Sequence, residues 1–389
     1  MPARLHTVKL KEGGQTVFIH TYRKQTLLEV GRLLALAALA ILLLCRPRAL
    51  ATGISRGLAV CGQVIIPTLY PFMVLAGLLT DSPLCRRPGK RVARITRRLF
   101  GLPGCCAPVI LLGLIGGYPA GALGISGLLR QNCISREEAR RMTRFCINAG
   151  PGFIVSTVGS GLLGSSTAGW LLFAAHAAAS LGIGIGLGRG YRHPRPERPP
   201  DDTPPRSLAQ VVSDTCGSLL SLCGFVLLAA AGLSLLDSGK LLPILGDLLR
   251  LPPATLSRIA AGITEVSCGC MALAAWEPMT PFWLGLCLGW GGLSVHGQVW
   301  AALRGQLSPD GGFFLGRLLH GVLAGCLSLL LFYWIPAPGR AADAMASGDT
   351  ALPFSVTCAA SLALLGFTFL AMLTFSPKNT GKNAPDVIH

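Results

Sequence analysis

The sequence predicts an all-α polytopic membrane protein, with about eight transmembrane helices and two re-entrant helical hairpins in an inverted repeat. Three observations predict it. Hydrophobic residues make up 51% of the 389 positions and charged residues only 13%, where a soluble domain carries roughly 25% charge. Several apolar runs reach the ~20 residues needed to cross a bilayer. One apolar stretch, 105–130, is broken at its centre and strongly basic at both ends.

That centre reads Gly113-Leu-Ile-Gly-Gly-Tyr-Pro-Ala-Gly-Ala122. Each glycine weakens a helix by roughly 1 kcal/mol against alanine, and Pro119 by about 3. Broken backbone survives at membrane depth only where protein or a water-filled cavity covers it. Arg86, Arg87, Lys90, Arg91, Arg94, Arg97 and Arg98 precede the stretch, and Arg130, Arg136, Arg140 and Arg141 follow it. Short basic loops stay cytoplasmic, so the segment enters the membrane and returns. The alternative is one kinked spanning helix.

The net charge of +17 is explained by basic loops between apolar runs, by topology and by anionic headgroups. Nucleic acid is not an expected partner. Most of the fourteen Cys lie inside apolar runs, and neither Cys105-Cys106 nor Cys268-Gly-Cys270 has zinc-site spacing. They read as small buried hydrophobes. No metal, disulfide framework or cofactor is expected. Glycines such as those of Gly182-Ile-Gly-Ile-Gly-Leu-Gly188 fit close helix approach in lipid.

In order, residues 1–53 comprise a cytoplasmic tail and the first anchor, with Leu27–Cys45 as its apolar run. Ala49-Leu-Ala51 resembles a signal-peptide cleavage site, but Arg46 and Arg48 interrupt the approach to it, which favours retention. Residues 54–188 form the first repeat. It holds a span at Ile54–Leu79 kinked by Pro67 and Pro71, the hairpin, a broken span at Met142–Gly164, and Ala168–Gly188. Residues 189–207 are a Pro-rich cytoplasmic linker. Residues 208–335 form the second repeat: Leu208–Leu236, a second hairpin near Leu256–Ala275, Phe282–Leu303 and Phe313–Ile335. Residues 336–389 supply a last span, Leu352–Phe375, and a tail. Both termini come out cytoplasmic. Every loop then obeys the charge rule except the one bearing Arg46, Arg48 and Arg56, which falls outside.

The halves echo each other. Cys61-Gly62 and Gly77-Leu78 match Cys216-Gly217 and Gly232-Leu233; Leu102-Pro103 and Gly113 match Leu251-Pro252 and Gly262; Ala149-Gly150 matches Gly291-Gly292. An odd number of crossings between equivalent points inverts the second copy. Inverted repeats whose broken helices meet at the midplane are a secondary-transporter architecture.

Chemistry concentrates at the breaks. Glu265, beside Thr264 and Ser267, is the only carboxylate well inside an apolar segment. An ionisable group there is a functional-site hypothesis by default; otherwise it caps a broken helix. Ser294, His296 and Gln298 follow Gly291 and Gly292, and an unwound backbone would turn them to one cavity, where His296 could pair with Glu265 as a proton site. The other reading of His296 is a hydrogen-bonded structural residue. The first-half counterparts are Tyr118 in the turn around Gly116, Gly117 and Pro119, and Asn148 beside Gly150 and Pro151; Asn148 also fits a plain helix–helix contact. His176, His320 and Gln63 read as structural. No catalytic motif appears, and the chain does not read as an enzyme.

Four motifs, Gly-Gly-Tyr-Pro-Ala-Gly-Ala at 116–122, Asn-Ala-Gly-Pro-Gly-Phe at 148–153, Ile-Thr-Glu-Val at 263–266 and Gly-Gly-Leu-Ser-Val-His-Gly-Gln-Val at 291–299, resemble the sporulation integral membrane protein YlbJ family. The family carries two Gate, or nucleoside-recognition, domains, similar to the hairpin regions of concentrative nucleoside transporters. The resemblance implies Gate-like repeats, a cell membrane location in a spore-forming bacterium and a role in the spore cortex. It implies no substrate, since shared fold does not fix function. The resulting expectation is a transporter of a small polar solute, nucleoside-like if the label holds. Glu265, Thr264, Ser267, Asn148, Tyr118, Ser294, His296 and Gln298 would form its midplane site. A coupling ion and homo-oligomers fit that reading. The alternative is a non-transporting organiser of spore-envelope assembly that acts through its basic loops.

Overall fold

The structure is a computed structural model that describes residues 15–82, 89–189, 191, 206–239, 241–276, 279–308 and 310–335. Every regular element among these residues is helical. Helix α1 spans Gln15–Cys45. Helix α2 (Pro47–Val60), a π turn (Cys61–Ile65) and α3 (Ile66–Asp81) form one run. Then come α4 (Lys90–Phe100), α5 (Cys106–Ile115), α6 (Tyr118–Arg130), α7 (Arg136–Thr143), a π helix (Gly152–Leu162) and α8 (Ser166–Gly188). The second half brings α9 (Leu208–Ser238), α10 (Leu241–Leu249), α11 (Pro253–Thr264), α12 (Val266–Leu273), α13 (Thr280–Trp290), α14 (Gly292–Ala302) and α15 (Gly311–Trp334).

Four helical runs are long and apolar enough to cross a membrane: Pro47–Leu79, Ser166–Gly188, Leu208–Ser238 and Gly311–Trp334. They coincide with the expected second, fourth, fifth and seventh spans. The chain is thus consistent with a polytopic membrane protein. Leu27, Leu33, Leu34, Leu36, Leu39, Leu42 and Leu44 of α1 are exposed, as a lipid-facing anchor requires, and α1 extends back into the expected tail. The last expected span and most of the Pro-rich linker lie outside the described residues.

Two expectations are corrected. Arg48 and Arg56 lie on α2, not in a loop; Arg46 alone is non-helical there, and its guanidinium donates to the Ser238 carbonyl at the end of α9. A cation is favoured at a helix C-terminus, so this basic residue has a local use. The break expected within Met142–Gly164 is present. α7 stops at Thr143, residues 147–150 lie outside any helix, and the 11-residue π helix follows. The basic stretch 80–104 is not only loop, because it contains α4.

The order of span, short helix, two-legged hairpin, broken segment and span occurs twice. Local geometry repeats with it. Gly101 and Arg250 take φ of 57° and 56°, each just before Leu-Pro, and so turn the chain alike into each hairpin. The legs of the first hairpin approach at Gly113 and Gly121, and those of the second at Gly262 and Gly269.

Within the second half, packing rests on a small-residue crossing. Gly285 and Gly289 of α13 face Gly325 and Gly321 of α15, backbone on backbone. Two Gly-x-x-x-Gly pairs thus let two helices touch where lipid supplies no hydrophobic drive. In the stretch 182–188, Gly184 and Gly188 are in close contact, against Phe145 and α4, while Gly182 and Gly186 face open space. The largest buried cluster draws on both halves, from Phe100 and Ile125 to Leu284 and Val299. Gly289→Ala would place a methyl on the backbone of Gly321. It should destabilise the purified protein by about 2 kcal/mol, in the range for overpacking, read as a lowered unfolding midpoint in detergent. Gly182→Ala should not move that midpoint, and equal behaviour of the two would sink the crossing.

Candidate functional site

Each hairpin tip presses on the broken segment of its own half. At the first tip Gly117 takes φ +83°, and a side chain on Gly150 would lie 2.8 Å from the Ile115 carbonyl. At the second tip a side chain on Gly292, itself at φ +80°, would lie 2.9 Å from the Glu265 Cα. Only glycine allows these contacts, because they combine close approach with left-handed backbone. The first tip also reaches the second half. The Tyr118 ring lies against Gly291, and its hydroxyl donates to the Leu288 carbonyl at 2.7 Å.

The expected site residues divide between two tasks. Glu265 is 2% exposed and caps α12, accepting the Cys268 N–H at 2.8 Å. The capping role allowed by the sequence is therefore what the geometry displays. Thr264 donates to the Ala260 carbonyl at 2.6 Å, and Ser267 is buried next to Glu265. Asn148 donates through Nδ2 to the Phe145 carbonyl at 2.9 Å, yet its Oδ1 is buried without a partner. Ser294 Oγ, His296 Nδ1 and Gln298 Oε1 are also buried without partners among the described residues.

The expected unwinding of 294–298 is corrected. The break falls at Gly291-Gly292, where two left-handed glycines interrupt the helix, and α14 is regular from there on. Helical spacing then puts Ser294 and Gln298 on one face and His296 on the other. His296 Nε2 donates to the Trp290 carbonyl at 3.1 Å, with its ring 4.3 Å from Trp290 and 5.1 Å from Phe313. No hydrogen bond or ion pair joins it to Glu265 among the described residues.

Sequence reasoning passed over Arg317. This side chain is fully buried on α15. Its guanidinium donates to the carbonyl of Ile147 in the first broken segment and to that of Gly289 in the second. It also lies 3.2 Å from His320 Nδ1. Nε2 of His320 in turn donates to the His176 carbonyl at 3.0 Å, and His176 Nε2 accepts the Ala149 N–H at 3.1 Å. Ser180 adds a bond to the Phe145 carbonyl at 2.6 Å. The unwound backbone from Phe145 to Ala149 is thus paired from α8 and α15. The available signal was an arginine inside the apolar run 313–335, which the cost of intramembrane charge marks as purposeful.

Beside this centre a cavity of about 540 Å³ opens between α3, α6, α9 and α14. Gln298, Pro119 and Ala120 reach it from the breaks, Ser218 and Ser221 line it from α9, and Arg130 stands on its wall. Its volume suits a small-molecule ligand. Asp214 on the same wall pairs with Arg206 at 2.6 Å. Among the described residues no His, Cys, Asp and Glu cluster could hold a metal ion.

Fold and site define a polytopic helical membrane protein with paired broken hairpins around a polar centre. Over 323 residues it is 28% identical to the sporulation integral membrane protein YlbJ of Bacillus subtilis (strain 168), covering 75% of this chain and 79% of that protein. The likeness to that family, read above from four motifs, is thereby shown along most of the chain. No family model matches the chain, and no solved structure matches it.

Arg317→Met would leave the Ile147 and Gly289 carbonyls without their donor. Each orphaned buried group costs about 1–3 kcal/mol, so a loss of about 3 kcal/mol in detergent unfolding is expected. Arg317→Lys should fall between the two, because an ammonium lacks the planar fork that serves two carbonyls at once. A methionine variant as stable as the parent would remove Arg317 from this role.

Proposed function

We propose that this chain moves a small polar solute across the cell membrane of a sporulating bacterium. In this reading the halves are inverted repeats, and the hairpin tips with their glycine breaks flank the path. The observation that carries it is Gln298, whose Oε1 is buried without a partner among the described residues and which lines a cavity large enough for a small molecule, with further unpaired polar atoms at the breaks on Asn148 and Ser294. Buried polar atoms are rarely left unpaired without a ligand, water or ion to meet them. The repeated left-handed turns and hairpin glycines support the repeat. By the charge rule the wall bearing Arg130 and Arg206 is cytoplasmic, so the cavity is an inward-facing vestibule, and both termini lie inside. The sporulation setting comes from the relative, which is named a sporulation integral membrane protein.

One observation favours a membrane organiser instead: Glu265 is used as a helix cap and needs no solute. Two variants separate the readings, each expressed in a spore-forming host lacking its own copy and checked by blot for normal membrane levels. Gln298→Leu removes a vestibule polar group while keeping bulk. The transport reading expects it to lower heat-resistant spore counts about tenfold or more, the equivalent of one lost buried hydrogen bond. Glu265→Gln keeps the cap acceptor and removes the charge. Spore loss there would make the charge functional. Normal spores from both variants would overturn the transport reading and leave the organiser.

A further inference from the structure

α4 has three faces, and the solute path uses none of them. Ala93, Thr96 and Phe100 are buried, at the spacing of a single helix face. That face sits on the end of α8. A side chain on Gly188 would strike the backbone of Leu99 and Phe100, and Phe100 stacks on Phe145 with ring centres 5.6 Å apart. Arg141 holds the following turn by donating to the Gly101 carbonyl at 2.7 Å. Gly188 is the last residue of a 23-residue candidate span. α4 is therefore fixed at the level where that helix leaves the apolar layer.

The second face is an apolar stripe. Val92, Ile95 and Leu99 are 39%, 56% and 39% exposed. The third face is basic, with Lys90, Arg91, Arg94, Arg97 and Arg98 all exposed and no acidic residue anywhere on the helix. Among the described residues no carboxylate pairs with Arg91, Arg94 or Arg98. A helix with a seat, an apolar stripe and a basic stripe, held at the membrane boundary, has the form of an interfacial element.

We propose that α4 is a binding site for anionic phospholipid. An acyl chain lies along Val92, Ile95 and Leu99, and the headgroup phosphate sits over Arg91, Arg94 and Arg98. One lipid molecule complements both free faces at the depth where α8 holds them. An acidic soluble protein would meet only the basic face. The site is independent of what the vestibule carries.

The test is native mass spectrometry of the full chain, solubilised from vesicles of phosphatidylcholine and phosphatidylglycerol and scored for retained lipid of each kind. The parent chain should retain phosphatidylglycerol in preference, and added salt should weaken that preference. The triple variant R91Q/R94Q/R98Q leaves the seated face untouched and should lose the preference by about tenfold or more, since each basic residue at an anionic surface contributes several-fold. R91K/R94K/R98K keeps the charge and should retain it. A parent chain with no preference overturns the site, whatever the variants do. So does a glutamine variant that keeps the preference, or a lysine variant that loses it alongside the glutamine variant.

Discussion

The absence of water at membrane depth is the constraint on which this structure depends. A helix break there frees carbonyls and N–H groups that lipid does not satisfy. The chain has two such breaks, near Ile147 and near Gly291, and one side chain, Arg317, serves a carbonyl at each. The remaining architecture follows from bringing Arg317 to both. α15 must run against α13, which the facing glycines 285, 289, 321 and 325 permit. α8 must run against α15, so that His176 and His320 reach the first break together, their rings 4.4 Å apart. A bulkier residue at Gly289 would push the guanidinium from its second carbonyl. The packing glycines and the polar network are therefore one device.

The halves use similar parts, and their differences fall at the tips. The second tip is closed by its own Glu265, which caps α12. The first tip has no side-chain cap on α6, and it sends Tyr118 across to the other half. Exchange of side chains between halves ties the two breaks together at the centre. A rigid-body motion of one half against the other, as transport through inverted repeats requires, must break or carry along the Tyr118 bond and the Arg317 fork. These are the contacts where the energy of such a motion would concentrate.

Much of the fold was legible because glycine and proline act through the backbone itself. Gly116, Gly117 and Pro119 mark the first hairpin turn wherever the helix is placed, and Gly291-Gly292 mark the second break in the same way. The four long runs follow from length and hydropathy. Legibility ended where partners come from far along the chain. Nothing local says that Arg317 will meet Ile147, 170 residues earlier. The spacing of Ser294, His296 and Gln298 could be read as unwound or helical, and it was decided by the Phe313 and Trp290 rings that box His296 against a regular α14. Arg46 misled because a basic residue obeys a helix C-terminus as readily as it obeys the membrane. α4 was passed over because its basic residues were read as a topology signal for a loop, although its apolar and basic residues recur at helical spacing.

Two of the buried charged residues, Glu265 and Arg317, are compensated without each other. Glu265 and Arg317 are opposite in sign, yet each is spent on a helix end. The carboxylate sits at the N-terminus of α12, where the helix dipole is positive, and the guanidinium sits at the last turn of α13, where it is negative. Each is thus compensated locally, and no salt bridge between them has to be broken for a solute to enter. Of the two hairpin tips, that at the N-terminus of α6 has no side-chain cap, and its Pro119 and Ala120 line the cavity together with Gln298. The protein has closed one hairpin with its own side chain and left the other facing the cavity. If the chain carries a solute as proposed, that asymmetry gives it backbone donors to meet at the first tip, which two capped tips would not.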